Sequence, residues 1–533
     1  MTPPMLEARY AAAGWWDGST LPSILADALV DSGAQKFCVH SKRRPWEGSL
    51  ADIASTGLRL AGGLHRLGLR PGDRVAFQLP NSAESAAAFY GLALLGAVLV
   101  PIDINHAGKD LQFILNACAA RTVLISDRVG ARVPLDEVNS IRPHLPFLDS
   151  VIVIGDEPVP QGALRFCDIV DGDALTEPAR VDPASPAVIG WTSGTTAAPK
   201  GVILSHRALA AEIRLHMAPF LAARTRPLAS TSPISHVTGM LVSVLVPPVI
   251  GQEVHLLDGW DPTYVLDLMA REKLSAGTGA PLFLASLLDH PKCTPEHLTL
   301  IEISQLGGAA VPPDLIRRAD ALGIIATRGY GCTEHPSISL GRPTQTLEER
   351  ATTDGIPCPG VEVRIVDHRG NDLPPGVRGD ILTRGPDLFS GYTDPELTAD
   401  AFDTGGWFRT GDIGIVDENG CLSVVGRSKD IVIRSGMNIS TAEVEAALIG
   451  MDGVNDVAVV AVPDARTGER GFAFLRVAPG IAPPNLEQIR SYLATIGMAK
   501  YKWPESIRVM REDFPRTPAG KVRKNVLRES FVD

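Results

Sequence analysis

Between Ile189 and Gly201 the chain reads Ile-Gly-Trp-Thr-Ser-Gly-Thr-Thr-Ala-Ala-Pro-Lys-Gly. Small residues such as Gly194 let successive backbone N–H groups turn toward one point and form an anion-binding concavity. The hydroxyls of Thr192, Ser193, Thr195 and Thr196 add donors, and Lys200 adds a positive charge. Such a loop suits a polyphosphate. The chain contains no G-x-x-x-x-G-K-[ST] segment, so the phosphate loop of ordinary NTPases is not the explanation. A solvated Ser/Thr-rich loop has the same composition, and the segment alone leaves both readings open.

Further segments follow in a fixed order: Tyr330-Gly331-Cys332-Thr333-Glu334, Arg409-Thr410-Gly411-Asp412, Gly426-Arg427-Ser428-Lys429-Asp430 and Pro515-Arg516-Thr517-Pro518-Ala519-Gly520-Lys521. Together with the Ser193–Lys200 loop, and with a stretch from Leu64 to Pro101 that includes Leu-Gly-Leu-Arg-Pro-Gly-Asp-Arg-Val, this set resembles the adenylate-forming superfamily. That superfamily includes acyl-CoA synthetases, peptide-synthetase adenylation domains and firefly luciferase. The likeness runs almost to the C-terminus and points to the acid–CoA ligase branch.

The resemblance implies a two-step chemistry. A carboxylate, already ionised at neutral pH, attacks the α-phosphorus of ATP and expels pyrophosphate, so no base is needed to prepare the nucleophile. The site should neutralise charge and align reactants, as in other phosphoryl-transfer catalysts. By resemblance, Ser193–Lys200 holds the β- and γ-phosphates, Tyr330 stacks on adenine, Thr333 donates to the α-phosphate and Glu334 coordinates Mg²⁺. Gly307, Gly308 and Ala309, with Gly329 and Gly331, line the adenine and acyl pockets. Asp412 accepts from the ribose hydroxyls, and Arg427 is a further ribose and phosphate contact. Lys521 bridges carboxylate and α-phosphate. Lys429 is the hinge of a mobile C-terminal lid, and after rotation Gly436 leaves a narrow path for a pantetheine thiol. One departure is Ala197, where family members usually carry glycine or serine; an alanine follows the same path unless φ is positive there.

The surrounding elements must position these residues. From about 20 to 180, helical runs (Leu50–Leu67, Ser85–Leu95, Asp110–Ala119) alternate with short strands (Arg74–Leu79, Ala97–Pro101, Thr122–Ser126), which predicts right-handed crossovers and a mainly parallel sheet. The rhythm resumes with helix Arg207–Met217, the apolar run Met240–Ile250 and helix Pro262–Glu272. After Asp354 the pattern changes to short strands (Val361–Asp367, Ile413–Val416, Cys421–Val425), the last two joined by Asp417-Glu418-Asn419-Gly420, a hairpin signal. The expected architecture is an α/β N-terminal domain, residues 1–427, with a β subdomain over about 355–427, and a small α+β lid over 428–533. At 533 residues more than one domain is expected.

A formal net charge of −11 argues against nucleic-acid and anionic-membrane surfaces. Ala86–Ile104 nearly reaches membrane-spanning length, but Gly91, Gly96 and Pro101 interrupt it, and a buried helix followed by a strand is predicted. No secretory signal is evident at Met1-Thr2-Pro3-Pro4. Seven cysteines, odd in number and without a Cys-x-x-Cys pair, predict reduced thiols in a cytoplasmic protein with neither zinc site nor disulfide frame.

For the acyl pocket the resemblance points to Ser235–Met240, Gly307–Ala309 and Gly331–Ile338, with His236 gating the entrance and Gly239 and Val237 lining it. Hydroxybenzoate-activating relatives carry asparagine at the position of Val237, so a 2-hydroxyaryl acid is disfavoured even though Arg9-Tyr10 and Gly14-Trp15-Trp16 resemble the start of those enzymes. The pocket stretch shows no acidic partner for an α-amino group. An apolar acid remains: medium-chain, alicyclic, aromatic or polycyclic. The implied partners are ATP, Mg²⁺, the acid and CoA, or alternatively the phosphopantetheine of a carrier protein, in a monomer or homodimer. A non-catalytic nucleotide sensor is the contrasting reading, and Glu334, Asp412 and Lys521 argue against it.

Overall fold

A computed structural model describes residues 3–192, 199–427, 431–434, 437–464, 466–478, 480–516 and 521–531. Among them, the largest sheet has eight strands, in the order Gly391–Tyr392, Lys200–Ser205, Pro186–Thr192, Val98–Pro101, Arg74–Gln78, Thr122–Ser126, Ser150–Ile154 and Leu164–Arg165. From Pro186–Thr192 onward the pairs are parallel, and the first three strands pair antiparallel. Strand alternation places successive side chains on opposite faces. Phe77, Leu99, Leu124 and Ile152 therefore enter one core, while Ala76, Val98, Val123 and Val151 enter a second. Both faces are covered, which is why these strands read as continuous apolar runs.

Helix Ala83–Leu95 follows one of the central strands, capped by Ser82 and ended by Gly96 at φ 72°. It is buried on all sides, and no described helix is long and apolar enough to cross a membrane. It packs on Leu50–Arg66 through two backbones: a Cβ on Gly91 would lie 2.4 Å from the Gly57 carbonyl oxygen.

Two further mixed four-stranded sheets complete this body. One runs Ala229–Ser230, Val254–Leu257, Lys36–His40, Trp46–Ser49; the other runs Ile303–Leu306, Ile325–Tyr330, Ser339–Leu340, Ile356–Pro357. An antiparallel sheet then runs Glu362–Val366, Gly379–Arg384, Phe408–Val416, Leu422–Arg427, its last two strands joined through Asp417–Gly420 as the hairpin signal predicts. From residue 431 a five-stranded sheet with its own core around Val459, Leu475 and Leu493 carries helices Thr441–Ile449 and Leu486–Thr495. Ser440 Oγ donates to the Val425 carbonyl (2.5 Å), tying this unit to the antiparallel sheet.

One expectation needs correction. The segment predicted as a single helix over Arg207–Met217 is α-helical only to Ala211; Glu212–Met217 is a π-helix, as is Met240–Leu245 in the later apolar run. Single π turns cluster at functional sites because the extra residue re-aims side chains. Here Glu212 and His216 turn into the protein.

Helix propensity alone favours alanine over glycine by ~1 kcal/mol, whereas forcing packed backbones apart costs ~1–3 kcal/mol or more. Gly91→Ala is therefore expected to lower the urea or thermal midpoint by about 1 kcal/mol of stability; a higher midpoint would show that the two helices have room.

Candidate active site

Tyr330 ends the strand Ile325–Tyr330, and Asp412 and Arg427 are opposed residues on the hairpin Phe408–Val416/Leu422–Arg427. The Tyr330 hydroxyl donates to Asp412 Oδ2 (2.5 Å), and Arg427 Nε donates to Asp412 Oδ1 (3.0 Å). Asp412 is 4% exposed. Burial and the neighbouring Asp412 carboxylate push the Tyr330 phenol well above its usual range, so it remains a donor. A carboxylate offers about four acceptor positions, and these two bonds leave others for a ligand.

Glu334 lies four residues on, within the turn closed by Cys332 N–H to the His335 carbonyl (3.0 Å). A Cβ on Gly331 would sit 1.9 Å from the Pro336 carbonyl oxygen, so only glycine fits this turn. The Tyr392 hydroxyl donates to Glu334 Oε1 (2.8 Å), and Lys200 Nζ sits over the Tyr392 ring, 5.2 Å from its centroid. Burial and Glu334 also raise the Tyr392 phenol. Burial drives the Cys332 thiol up as well, consistent with a space-filling thiol.

Thr333 and Val237 both approach Gly190 of strand Pro186–Thr192. A Cβ on Gly190 would meet Thr333 Cγ2 at 3.1 Å and Val237 Cγ2 at 3.7 Å. Val237 is buried, and Gly239 and Met240 follow it into the core. His236, just before that helix, pairs through Nε2 with Asp103 Oδ2 (2.8 Å). Burial opposes the Asp103 charge, but His236 and Asn105 more than offset it, and the carboxyl is held below its usual range. Gly307 and Gly308 follow strand Ile303–Leu306, with Gly307 N–H donating to the Gly279 carbonyl and Ala309 exposed beyond them. Gly329 adjoins Gln305 on the neighbouring strand.

Beneath the Gly331–Ser339 segment lies a fully buried polar cluster. His335 bonds Asp387 Oδ1 through Nε2 (3.1 Å) and Thr383 Oγ1 through Nδ1 (3.0 Å). His216 bonds Glu212 Oε2 through Nδ1 (2.8 Å) and the Pro359 carbonyl through Nε2 (2.9 Å), and Ser337 donates to Glu212 Oε1 (2.7 Å). Both His216 partners are acceptors, so the doubly protonated ring satisfies both. Burial opposes that charge, yet Asp387 and Glu212 more than offset it, and the His216 pKa is raised to about 9. The N-terminal segment braces the same region: Trp16 Nε1 donates to the Pro386 carbonyl (2.8 Å), and the Arg207 guanidinium lies 3.8 Å from the Trp16 ring centroid.

Of the residues singled out from sequence, Tyr330, Asp412 and Arg427 form one bonded group, Glu334 and Lys200 meet at Tyr392, Thr192 pairs with Lys200 across the strands, and Thr333 lies against Gly190. Lys521 is exposed in the C-terminal unit, beside the Arg516–Val522 bridge and ahead of helix Lys524–Glu529. Ser193, Gly194, Thr195, Thr196, Ala197, Lys429 and Gly436 lie outside the described residues. Sequence reasoning missed Tyr392, Asp103 and the Asp387 cluster. Asp103 had a usable signal, since it follows the carboxyl end of the parallel strand Val98–Pro101, where open α/β sheets bind ligands.

The family model for AMP-binding enzymes matches residues 49–393, and that for the AMP-binding enzyme C-terminal domain matches residues 443–521. The chain belongs to the AMP-binding enzyme family. It is 33% identical over 533 residues to a medium-chain fatty-acid–CoA ligase of Escherichia coli K12, covering 98% of this chain and 93% of the relative. It superposes on ATP-bound MatB from Rhodopseudomonas palustris with a TM-score of 0.85 at 29% identity, over 96% of this chain and 99% of that one. The anthranilate CoA ligase AuaEII in complex with anthranoyl-AMP gives a TM-score of 0.84 at 27% identity, over 96% and 97% of the two chains.

The folded-state pKa of His216 lies above the ordinary 6.5, so its contribution to stability is complete below that pH and fades as pH rises through about 9. Thermal unfolding of the wild type followed from pH 6 to 10 should show this alkaline loss, and His216→Gln should be less stable at pH 6 with a flatter alkaline limb. An unchanged slope in the variant would place the proton elsewhere.

Proposed function

We propose that this protein is an ATP-dependent acid–CoA ligase that activates an apolar carboxylic acid as its acyl-adenylate, releases pyrophosphate and transfers the acyl group to the thiol of CoA. The observation that carries this reading is the pair of phenol-held carboxylates, Glu334 on Tyr392 and Asp412 on Tyr330, with Lys200 over the same Tyr392 ring. The two carboxylates are held by different phenols and are available for separate tasks. Asp412 accepts from the ribose of ATP, with Arg427 beside it, and Tyr330 presents its ring to the base.

Glu334 is a hard oxygen donor whose orientation Tyr392 sets, and it fits a magnesium ion, which prefers one or two carboxylates together with phosphate oxygens. Bound there, Mg²⁺ supplies neutralisation of phosphate charge. Thr333 donates to the α-phosphate, Lys200 and the preceding loop hold the outer phosphates, and His236 with Asp103 borders the acid's path. Val237 offers no hydrogen bond to a ring hydroxyl, which supports an apolar acid: medium-chain, alicyclic, aromatic or polycyclic. The C-terminal unit, pivoting at Lys429, brings Lys521 to the carboxylate and α-phosphate for the first step. In the second it turns Gly436 toward the thiol path.

Pyrophosphate exchange driven by a library of carboxylic acids tests the first step and identifies the acid. Lys521→Ala should lower that exchange by about 10²–10³-fold while leaving thioester formation from pre-made acyl-adenylate near the wild-type rate. Equal loss in both steps would contradict the role of Lys521. Exchange without thioester formation on free CoA, but with acylation of a carrier protein, would move the acceptor from CoA to carrier phosphopantetheine.

A further inference from the structure

Away from the nucleotide region, the sheet that contains Lys36–His40 gathers a different set of side chains. Lys36–His40 pairs in parallel with Val254–Leu257, with Cys38 opposite His255, and antiparallel with Trp46–Ser49, with Cys38 opposite Glu47. Strand alternation puts Cys38 and His40 on one face, and directly paired residues share a face. The thiol of Cys38 and one nitrogen from each of His40 and His255 accordingly lie within 4.8 Å of one another. His40 Nε2 is 3.0 Å from His255 Nδ1, and the two rings are nearly parallel at 5°. Cys38 and His255 are 3% and 2% exposed. The other ring nitrogen of His255 lies 3.2 Å from Glu253 Oε2. A cavity of about 310 Å³ adjoins the cluster, lined in part by Cys38, His40, Trp46, Glu47 and Tyr264.

We propose that Cys38, His40 and His255 bind a zinc ion, with the fourth coordination position directed to this cavity. One sulfur and two imidazole nitrogens form a donor set that zinc favours, and tetrahedral Zn–N bonds of ~2.0–2.1 Å place two ligand nitrogens ~3.3 Å apart. The observed 3.0 Å needs an adjustment of only a few tenths of an ångström. Glu253 supplies what a metal-bound imidazole usually has, a carboxylate accepting from its far N–H. That bond assigns His255 Nδ1 as the ligand. In the metal-free pair His40 Nε2–H donates to His255 Nδ1; on binding, His40 moves its proton to Nδ1 through solvent, with no net release. The Cys38 thiol gives one proton to solvent as the Zn–S bond forms, so charge balances.

The local electrostatics agree with this assignment. Burial holds His40 well down, to about 4, and lowers His255 too, so both rings are neutral at pH 7 as ligands must be. Burial raises the Cys38 thiol to about 11 without metal, and a coordinated dication reverses that cost. Lys36, the nearest cation along the strand, is paired with Glu272 (3.2 Å) and Glu47 (3.3 Å). Spacing along the chain does not reveal this group, because His40 and His255 are 215 residues apart and meet only through the sheet.

The test uses the full-length protein, freed of metal with a chelator and titrated with Co²⁺. Wild type should take up one equivalent, with tetrahedral d–d bands and a thiolate-to-cobalt charge-transfer band, and zinc should displace it. The charge-transfer band should vanish in Cys38→Ser and persist in Cys167→Ser, which removes the exposed cysteine. Glu253→Gln should keep the band and weaken affinity ~10–100-fold. If Cys38→Ser fails to fold, His40→Ala carries the same test, with loss of the tetrahedral d–d bands expected. Absence of a charge-transfer band in wild type, its survival in Cys38→Ser, or undiminished tetrahedral bands in His40→Ala would overturn the proposal. None of these readouts depends on ligase activity.

Discussion

The bond from the Tyr330 hydroxyl to Asp412 joins the end of a strand in the body to a hairpin of the antiparallel sheet. It closes a gap between two sheets that share no strand. Placing a carboxylate at 4% exposure is costly unless donors compensate, and here a phenol and a guanidinium do so from two different elements. The same hairpin reaches the C-terminal unit through Ser440 and the Val425 carbonyl. Whatever shifts Arg427 or Val425 is therefore felt at Asp412.

Rigidity beneath the site has a different origin. The Asp387 cluster buries two imidazoles and two carboxylates, those of His335, His216, Glu212 and Asp387. Replacing one partner would leave a buried charge uncompensated, which holds the remaining groups to one arrangement. What it fixes is the Gly331–Ser339 turn, and with it the positions of Thr333 and Glu334. The π-helix at Glu212–Met217 carries Glu212, which reaches Ser337 of that turn, and His216, which holds Glu212 from behind.

Much of the fold is legible in the chain. The parallel strands carry apolar runs because both faces are covered, and the Asn419-Gly420 hairpin announces itself by turn chemistry. The motif residues Tyr330, Glu334, Asp412 and Arg427 are also legible, as an ordered set. The two π-helices are not, because a six-residue run is too short for its wider turn to show as a separate apolar period beside the flanking α-helices. Tyr392, Asp103, Asp387 and the Cys38–His40–His255 group escape for another reason. Their partners lie far away along the chain, and only tertiary packing brings them together.

We propose that Asp412, oriented by Tyr330, reads the ribose of ATP. This is tested most directly by comparing kcat/KM for pyrophosphate exchange with ATP and with 2′-deoxyATP in wild type and in Asp412→Asn. A hydrogen bond to a charged acceptor is worth ~1.5–3 kcal/mol, so wild type should prefer ATP by about 10–100-fold and the variant should lose most of that preference. A variant that still discriminates as strongly as wild type would contradict the account.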